Sequence, residues 1–165
     1  VKEDWELDLM RKAQEITDLA FEHILGVIST DITETDVAAE LEYFMRKHGA
    51  EDKSFETISI SAEKTSLPHG MPEGIKLKKG FFTMDFGATF NGYHADMTRT
   101  VCIGKADNEM KKLYNTVLEA RFLPLRETSQ FPKRSTRTSC TDGAFLRYCI
   151  INSITIFNIY IIFLF

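Results

Sequence analysis

The sequence predicts an α+β fold in which helices pack on an antiparallel sheet. Two stretches with helical hydrophobic spacing open the chain, Asp4 to about Val27 and Thr33 to Gly49. Strand-like runs rich in Phe, Thr, Tyr, Val and Ile then flank Asn91-Gly92. That dipeptide suits a type I′ hairpin turn, whose two central residues both need positive φ. A chain of 165 residues is long enough for one domain with a core. Its net charge of −4 offers nothing to attract nucleic acid or an anionic membrane. Three cysteines, Cys102, Cys140 and Cys149, have neither metal nor redox spacing and are odd in number, so no disulfide framework is indicated. They suit a reducing compartment, and a cytoplasmic location is expected. No secretory signal pattern follows Val1, and the chain reads as a piece that begins partway through a longer protein.

Trp5, Leu9, Ile16, Ala20, Ile24 and Val27 form one stripe along the first helix, with Asp4 as its expected N-cap. His23 lies beside the stripe, where a surface or packing role is the simple reading. Thr33 opens the second helix, and Asp36 three residues later approximates a capping box. Val37, Leu41, Phe44 and Met45 form its buried stripe, and Gly49 is suited to the C-terminal cap. Lys47 and His48 fall in the last turn, where positive charge favours the helix dipole. The alternation from Phe55 to Ser61 then reads as a half-buried strand.

If Asn91 and Gly92 form a two-residue loop, Phe90 pairs with Tyr93, Ala88 with Ala95 and Gly87 with Asp96. Cross-strand partners share a face, as do residues two apart on one strand, so Asp85 and Asp96 become diagonal neighbours on one face. Gly87 is expected to leave open space opposite Asp96. Two converging carboxylates are candidate ligands for a hard metal ion. The simpler alternative is that one aspartate ends a strand while the other binds turn amides. His94, by the same pairing, points with the aspartates. The segment from Leu67 through Pro68, His69, Gly70 and Met71 to Pro72 is a second unusual stretch, since the prolines restrict it and Gly70 relaxes it. It presents His69 on a rigid loop, the kind of position where functional side chains gather, although a lone loop histidine is often a solvated bystander.

Taken together, Ser66-Leu67-Pro68-His69-Gly70, Met84-Asp85-Phe86-Gly87-Ala88, the run from Asn91 to Thr100 and Thr116-Val117-Leu118-Glu119-Ala120 closely resemble the Xaa-Pro peptidases. These are the prolidase and aminopeptidase P members of the creatinase/methionine aminopeptidase superfamily, whose fold is called pita-bread. The resemblance covers about Lys2 to Ala120, which would be the N-terminal half of such a domain. It implies that Asp85 and Asp96 match the first two ligands of a dinuclear site holding manganese, cobalt or zinc. It implies that His69 matches the histidine beside the metals that binds substrate and stabilises the reacting carbonyl. The reaction implied is hydrolysis of Xaa-Pro peptides, with two ions lowering the pKa of a shared water from about 15.7 towards ~7. Thr98 and Arg99 lie in the signature without a physical reason to be catalytic, and His94 matches no ligand position.

The same resemblance exposes a gap. Its remaining ligands are a downstream histidine and two glutamates, yet no histidine follows His94, and Glu109, Glu119 and Glu127 stand in unmatched contexts. The expectation is therefore a partial site with little or no activity in this chain alone. Smaller departures agree: Ser29-Thr30-Asp31 replaces a turn with glycine or proline, and Ala62 stands where glycine is expected. The strand from Gly80 to Asp85 is one residue short, requiring a bulge or a loop shift. A half-domain should expose sheet edges, which predicts poor solubility, self-association as a homodimer, or partnership with another chain. The alternatives weighed are a non-catalytic binding protein of the same fold and a tail-anchored membrane protein.

Asp107 is expected to cap a helix from Asn108 to about Phe122, with Pro124 breaking it. The resemblance is expected to stop at Arg121, and residues 121–149 read as a disordered tail rich in Arg, Ser, Thr and Pro. Residues 150–165 are nearly all apolar but close to the lower limit of ~17 residues for a membrane span. Their Ile, Asn, Phe and Tyr content suggests translation out of frame or from non-coding sequence, with a tail anchor as the alternative.

Overall fold

The computed structural model describes residues 2–127 and 163–164, with side chains described through Glu119. The chain divides into two units. The first carries α1 (Asp4–Leu25), α2 (Glu34–Lys47), β1 (Asp52–Lys53), β2 (Ile58–Ser61), a 3-10 turn (Ala62–Ser66), β3 (Gly80–Phe86), β4 (Ala88–Phe90), β5 (Tyr93–His94), β6 (Met97–Ile103) and β7 (Phe163–Leu164). The second carries α3 (Asn108–Glu127).

The helices form where their spacing and caps direct. Thr33 accepts from the Asp36 N–H at 3.1 Å while Asp36 accepts from the Thr33 N–H at 2.8 Å, completing the expected capping box. Gly49 follows α2 at φ +103°, a conformation that glycine adopts without penalty. The cap of α1 is one residue earlier than expected: Glu3 is the N-cap, and its N–H donates to Glu6 at 2.7 Å. The buried face of α1 is Ala13, Ile16, Thr17, Ala20 and Ile24. Trp5, expected on that stripe, is instead 59% exposed, edge-on to Tyr93 across a 6.1 Å centroid separation. At the helix end it can reach past the core to the hairpin tip. His23 packs as expected, bonded to Glu40 at 2.6 Å and stacked on Phe44.

The strands make two sheets in the orders β1-β4-β5 and β2-β3-β6-β7. All pairings among the described residues are antiparallel except β6 with β7. Asn91 and Gly92 adopt φ +47° and +76°, and Phe90 faces Tyr93 as the turn requires. The same register continues through β3 and β6, where Asp85 faces Thr98 and Gly80 faces Ile103. No bulge interrupts β3, which pairs with β6 without a break from Gly80 to Phe86, so the bulge expected before Asp85 is not observed. Alternation along β3 then sorts its side chains: Phe82, Met84 and Phe86 join Ile16, Ile24, Val37, Leu41 and Met45 in the core. Thr83 and Asp85 fall on the other face. The expected strand from Phe55 begins only at Ile58.

Asp107 caps α3 as expected, accepting from the Met110 N–H at 2.8 Å. The expected break at Pro124 is not observed, since α3 continues to Glu127. A proline costs ~3 kcal/mol within a helix by removing one hydrogen bond and crowding the preceding turn, but its own φ is helical. The disordered tail expected from residue 121 therefore does not include 121–127, while its remainder and most of the apolar segment 150–165 lie outside the described residues. No described helix is long and apolar enough to cross a membrane.

Candidate metal centre

The candidate centre lies where one hairpin passes between two sheets. β3 ends at Phe86 and β4 begins at Ala88, so the chain changes sheets at Gly87. A Cβ on Gly87 would come within 1.9 Å of the Ala95 carbonyl oxygen. This corrects the expected open space: the partner backbone fills it, and glycine is needed for that close approach. The Ala88 N–H finds a partner in the Thr17 hydroxyl of α1 at 3.0 Å, and that hydroxyl donates to the Ala13 carbonyl at 2.9 Å.

The change of sheet leaves Asp85 and Asp96 as interacting neighbours. Asp85 is half-buried and Asp96 exposed, with its carboxyl turned into partly desolvated surroundings. Burial pushes Asp85 above the ordinary aspartate range, against the pull of the Thr98 hydroxyl and the charge of His69. Asp96 is pushed the same way, first by desolvation and then by the Asp85 charge. Both carboxyls are thus held above the ordinary aspartate range, and they titrate as a pair. Thr98 donates to Asp85 Oδ1 at 2.7 Å and fixes that carboxylate. The signal for Thr98 was available in the turn-centred register, which makes it the direct cross-strand partner of Asp85.

His69 belongs to the same neighbourhood. It is exposed at φ +56° on the loop after the 3-10 turn, near enough for its charge to act on Asp85. A Cβ on the next residue, Gly70, would meet Ile60 at 3.0 Å, and Ile60 pairs with Thr83 on the Asp85 face. His94 does not join the aspartates as a third ligand: its Nδ1 lies 3.0 Å from its cross-strand partner's hydroxyl, Thr89 Oγ1. Among the described residues, no group of three or more His, Cys, Asp or Glu could hold a metal ion. The donor chemistry thus fits a divalent cation, since two carboxylates repel until a cation or proton lies between them. The set is incomplete for a closed site.

Ala62 adopts φ +54°, the left-handed region in which the glycine expected at that position would be unstrained. Glu34, in the first turn of α2 and not singled out from sequence, is fully buried and bonded to Ser61 and Lys64. Nothing in local spacing distinguishes it from an exposed helix-start glutamate.

Comparison with known proteins gives a consistent picture. The model of metallopeptidase family M24 matches residues 8–128, past Arg121 where the resemblance was expected to end. The uncharacterized peptidase YqhT of Bacillus subtilis is 40% identical over 124 residues, covering 74% of this chain and 35% of that protein. The Xaa-Pro dipeptidase of Pyrococcus furiosus is 35% identical over 122 residues, covering 73% and 35% respectively. Among solved structures, an Xaa-Pro dipeptidase from Bacillus anthracis superposes with a TM-score of 0.71 at 43% identity, covering 74% of this chain and 35% of its own. An X-Pro aminopeptidase from Thermotoga maritima gives 0.73 at 40% identity, covering 76% and 36%. The chain thus spans about a third of the length of the curated relatives it matches, 35% in the first of them.

Proposed function

From the chain's membership of metallopeptidase family M24, to which it belongs by the match over residues 8–128, we infer that Asp85 and Asp96 are metal ligands and His69 the substrate-binding histidine of a site for hydrolysing peptide bonds next to proline. Its fold is the pita-bread arrangement of helices on antiparallel sheet that the relatives share. The observation that carries the functional reading is the half-buried Asp85 carboxylate, fixed by Thr98 at 2.7 Å, with Asp96 and His69 near enough to act on it.

In this reading Asp85 and Asp96 would supply two of the ligands of a site for divalent ions, for which manganese, cobalt or zinc would be suited. Such ions supply a water ionised near neutral pH and a polarised carbonyl. The chain's own residues do the rest of what it can do. Thr98 holds Asp85 in one orientation, leaving its charge available for a cation. His69, exposed on its loop, donates a hydrogen bond to the substrate carbonyl oxygen as charge develops there. The chain alone is expected to turn over little or no substrate, because no histidine follows His94 and two carboxylates give weak retention of a transition metal. Completion by a second copy or another chain fits this reading, as does the reducing, cytoplasmic setting expected from its cysteines.

The test is manganese binding by calorimetry together with hydrolysis of an Xaa-Pro dipeptide, in the wild type, Asp85→Ala and Asp96→Ala. Weak binding lost in both variants, with no turnover, is expected. Stoichiometric tight binding with turnover abolished in both variants overturns the inactive reading. Manganese binding that ignores both substitutions overturns the metal site.

A further inference from the structure

We propose that Glu34 is the positioning residue for the His69 loop, holding its outgoing limb against the start of α2 and so fixing where His69 stands. This rests on the reading that His69 works over the Asp85–Asp96 pair. The loop has little else to hold it. From Ser66 to Lys76 its residues are exposed or half-buried, and its apolar members Leu67 and Met71 are 55% and 52% exposed. Hydrophobic burial therefore contributes little to its order. Backbone bonds fasten the return limb, with the Glu34 N–H donating to Ile75 at 3.0 Å and the Thr35 N–H to Glu73 at 3.2 Å.

The outgoing limb depends on the Glu34 carboxylate. Its Oε1 accepts from the Ser61 N–H at 2.8 Å and the Ser61 hydroxyl at 3.0 Å. Its Oε2 accepts from Lys64 Nζ at 2.7 Å and from the Glu73 N–H at 3.2 Å. Lys64 extends the cluster, donating to the Met71 carbonyl at 3.2 Å and lying 3.3 Å from the Glu73 carboxylate. The residues on both sides of His69 thus converge on one fully buried carboxylate, at the root of an exposed loop. A buried charge with all its partners in place fixes geometry because any shift leaves it unpaired. Within that frame His69 takes φ +56°, a conformation that needs enforcement by its surroundings.

Glu34→Gln keeps the size and the acceptor for Ser61 but removes the charge that holds Lys64, and Lys64→Met removes the cation together with its bond to the Met71 carbonyl. In the metal-free protein, amide hydrogen exchange at Leu67, Gly70 and Glu73, whose N–H groups are hydrogen-bonded, should quicken about tenfold in each variant, while Ile24 and Val101 keep wild-type rates. Unchanged loop exchange overturns the proposal, and so does equal acceleration throughout the chain, which would mean a merely structural role. A second arm adds manganese and follows paramagnetic broadening of the His69 ring and the Thr98 methyl. Glu34→Gln should weaken broadening at His69 and leave it at Thr98; equal broadening in both proteins overturns the proposal. Absence of broadening at both residues in the wild type defeats the metal reading instead, and the exchange arm still decides the role of Glu34.

Discussion

A methyl group on Gly87 would sit 1.9 Å from the Ala95 carbonyl oxygen, a distance only backbone displacement could relieve. Gly87→Ala should cost about 3 kcal/mol, at the upper end for overpacking, and should part Asp85 from Asp96. Urea denaturation gives the first quantity, and loss of manganese binding reports the second. Ala62 is the opposite case, a side chain at φ +54° where glycine would relax the backbone. The left-handed conformation costs roughly 1–2 kcal/mol for an L-residue. Glycine returns roughly 0.5–1 kcal/mol of that as unfolded-state entropy. Ala62→Gly should therefore stabilise the protein by about 0.5–1 kcal/mol, read as a higher urea midpoint at unchanged slope.

At the scale of elements, α1 supports the hairpin where its strands change sheets. The sheet ladder cannot serve the Ala88 N–H at that point, and Thr17 takes it at 3.0 Å inside the core. Thr17→Val keeps the shape and leaves that N–H buried without a partner, at a cost of about 1–3 kcal/mol. Thr17→Ser keeps the hydroxyl and should lose much less, so the difference between the two melting curves isolates the hydrogen bond. Hairpin and helix are thus one device, in which a turn fixes register and a helix residue compensates its discontinuity.

For the whole molecule, opposing carboxylates give stability a maximum in pH. The hydrogen bonds to Glu34 from Lys64, Ser61 and Glu73 outweigh the largest single influence, burial, and hold its pKa below the ordinary glutamate range. Its contribution is present above the unfolded-state value and is lost as pH falls through the folded one. Asp85 and Asp96 act oppositely, because their folded values are raised. The folded protein binds more protons than the unfolded chain between the ordinary and raised values, so stability declines as pH rises through that window. Metal-free protein should accordingly melt highest in mildly acidic buffer. Replacing both Asp85 and Asp96 with asparagine should remove the decline on the alkaline side, and wild-type protein with manganese should lose the decline too. Melting temperatures from pH 3 to 8 test all three expectations, and a decline that survives the double substitution would contradict them.

Local chemistry carried the sequence reading far. Asn91-Gly92 set the register that aligns Asp85 with Asp96, Thr33 and Asp36 set the start of α2, and the signature around His69 and the aspartates pointed to the family. Turn dihedrals, caps and side-chain alternation depend on near neighbours, so sequence by itself determined them. Tertiary structure decided what required distant atoms to meet: Ala95 closing over Gly87, Thr17 reaching Ala88, Thr98 fixing Asp85, and Glu34 buried at the root of the His69 loop. Desolvation was beyond local reading for the same physical reason. Whether a carboxylate is solvated, paired or forced to share a proton depends on what the rest of the chain packs around it.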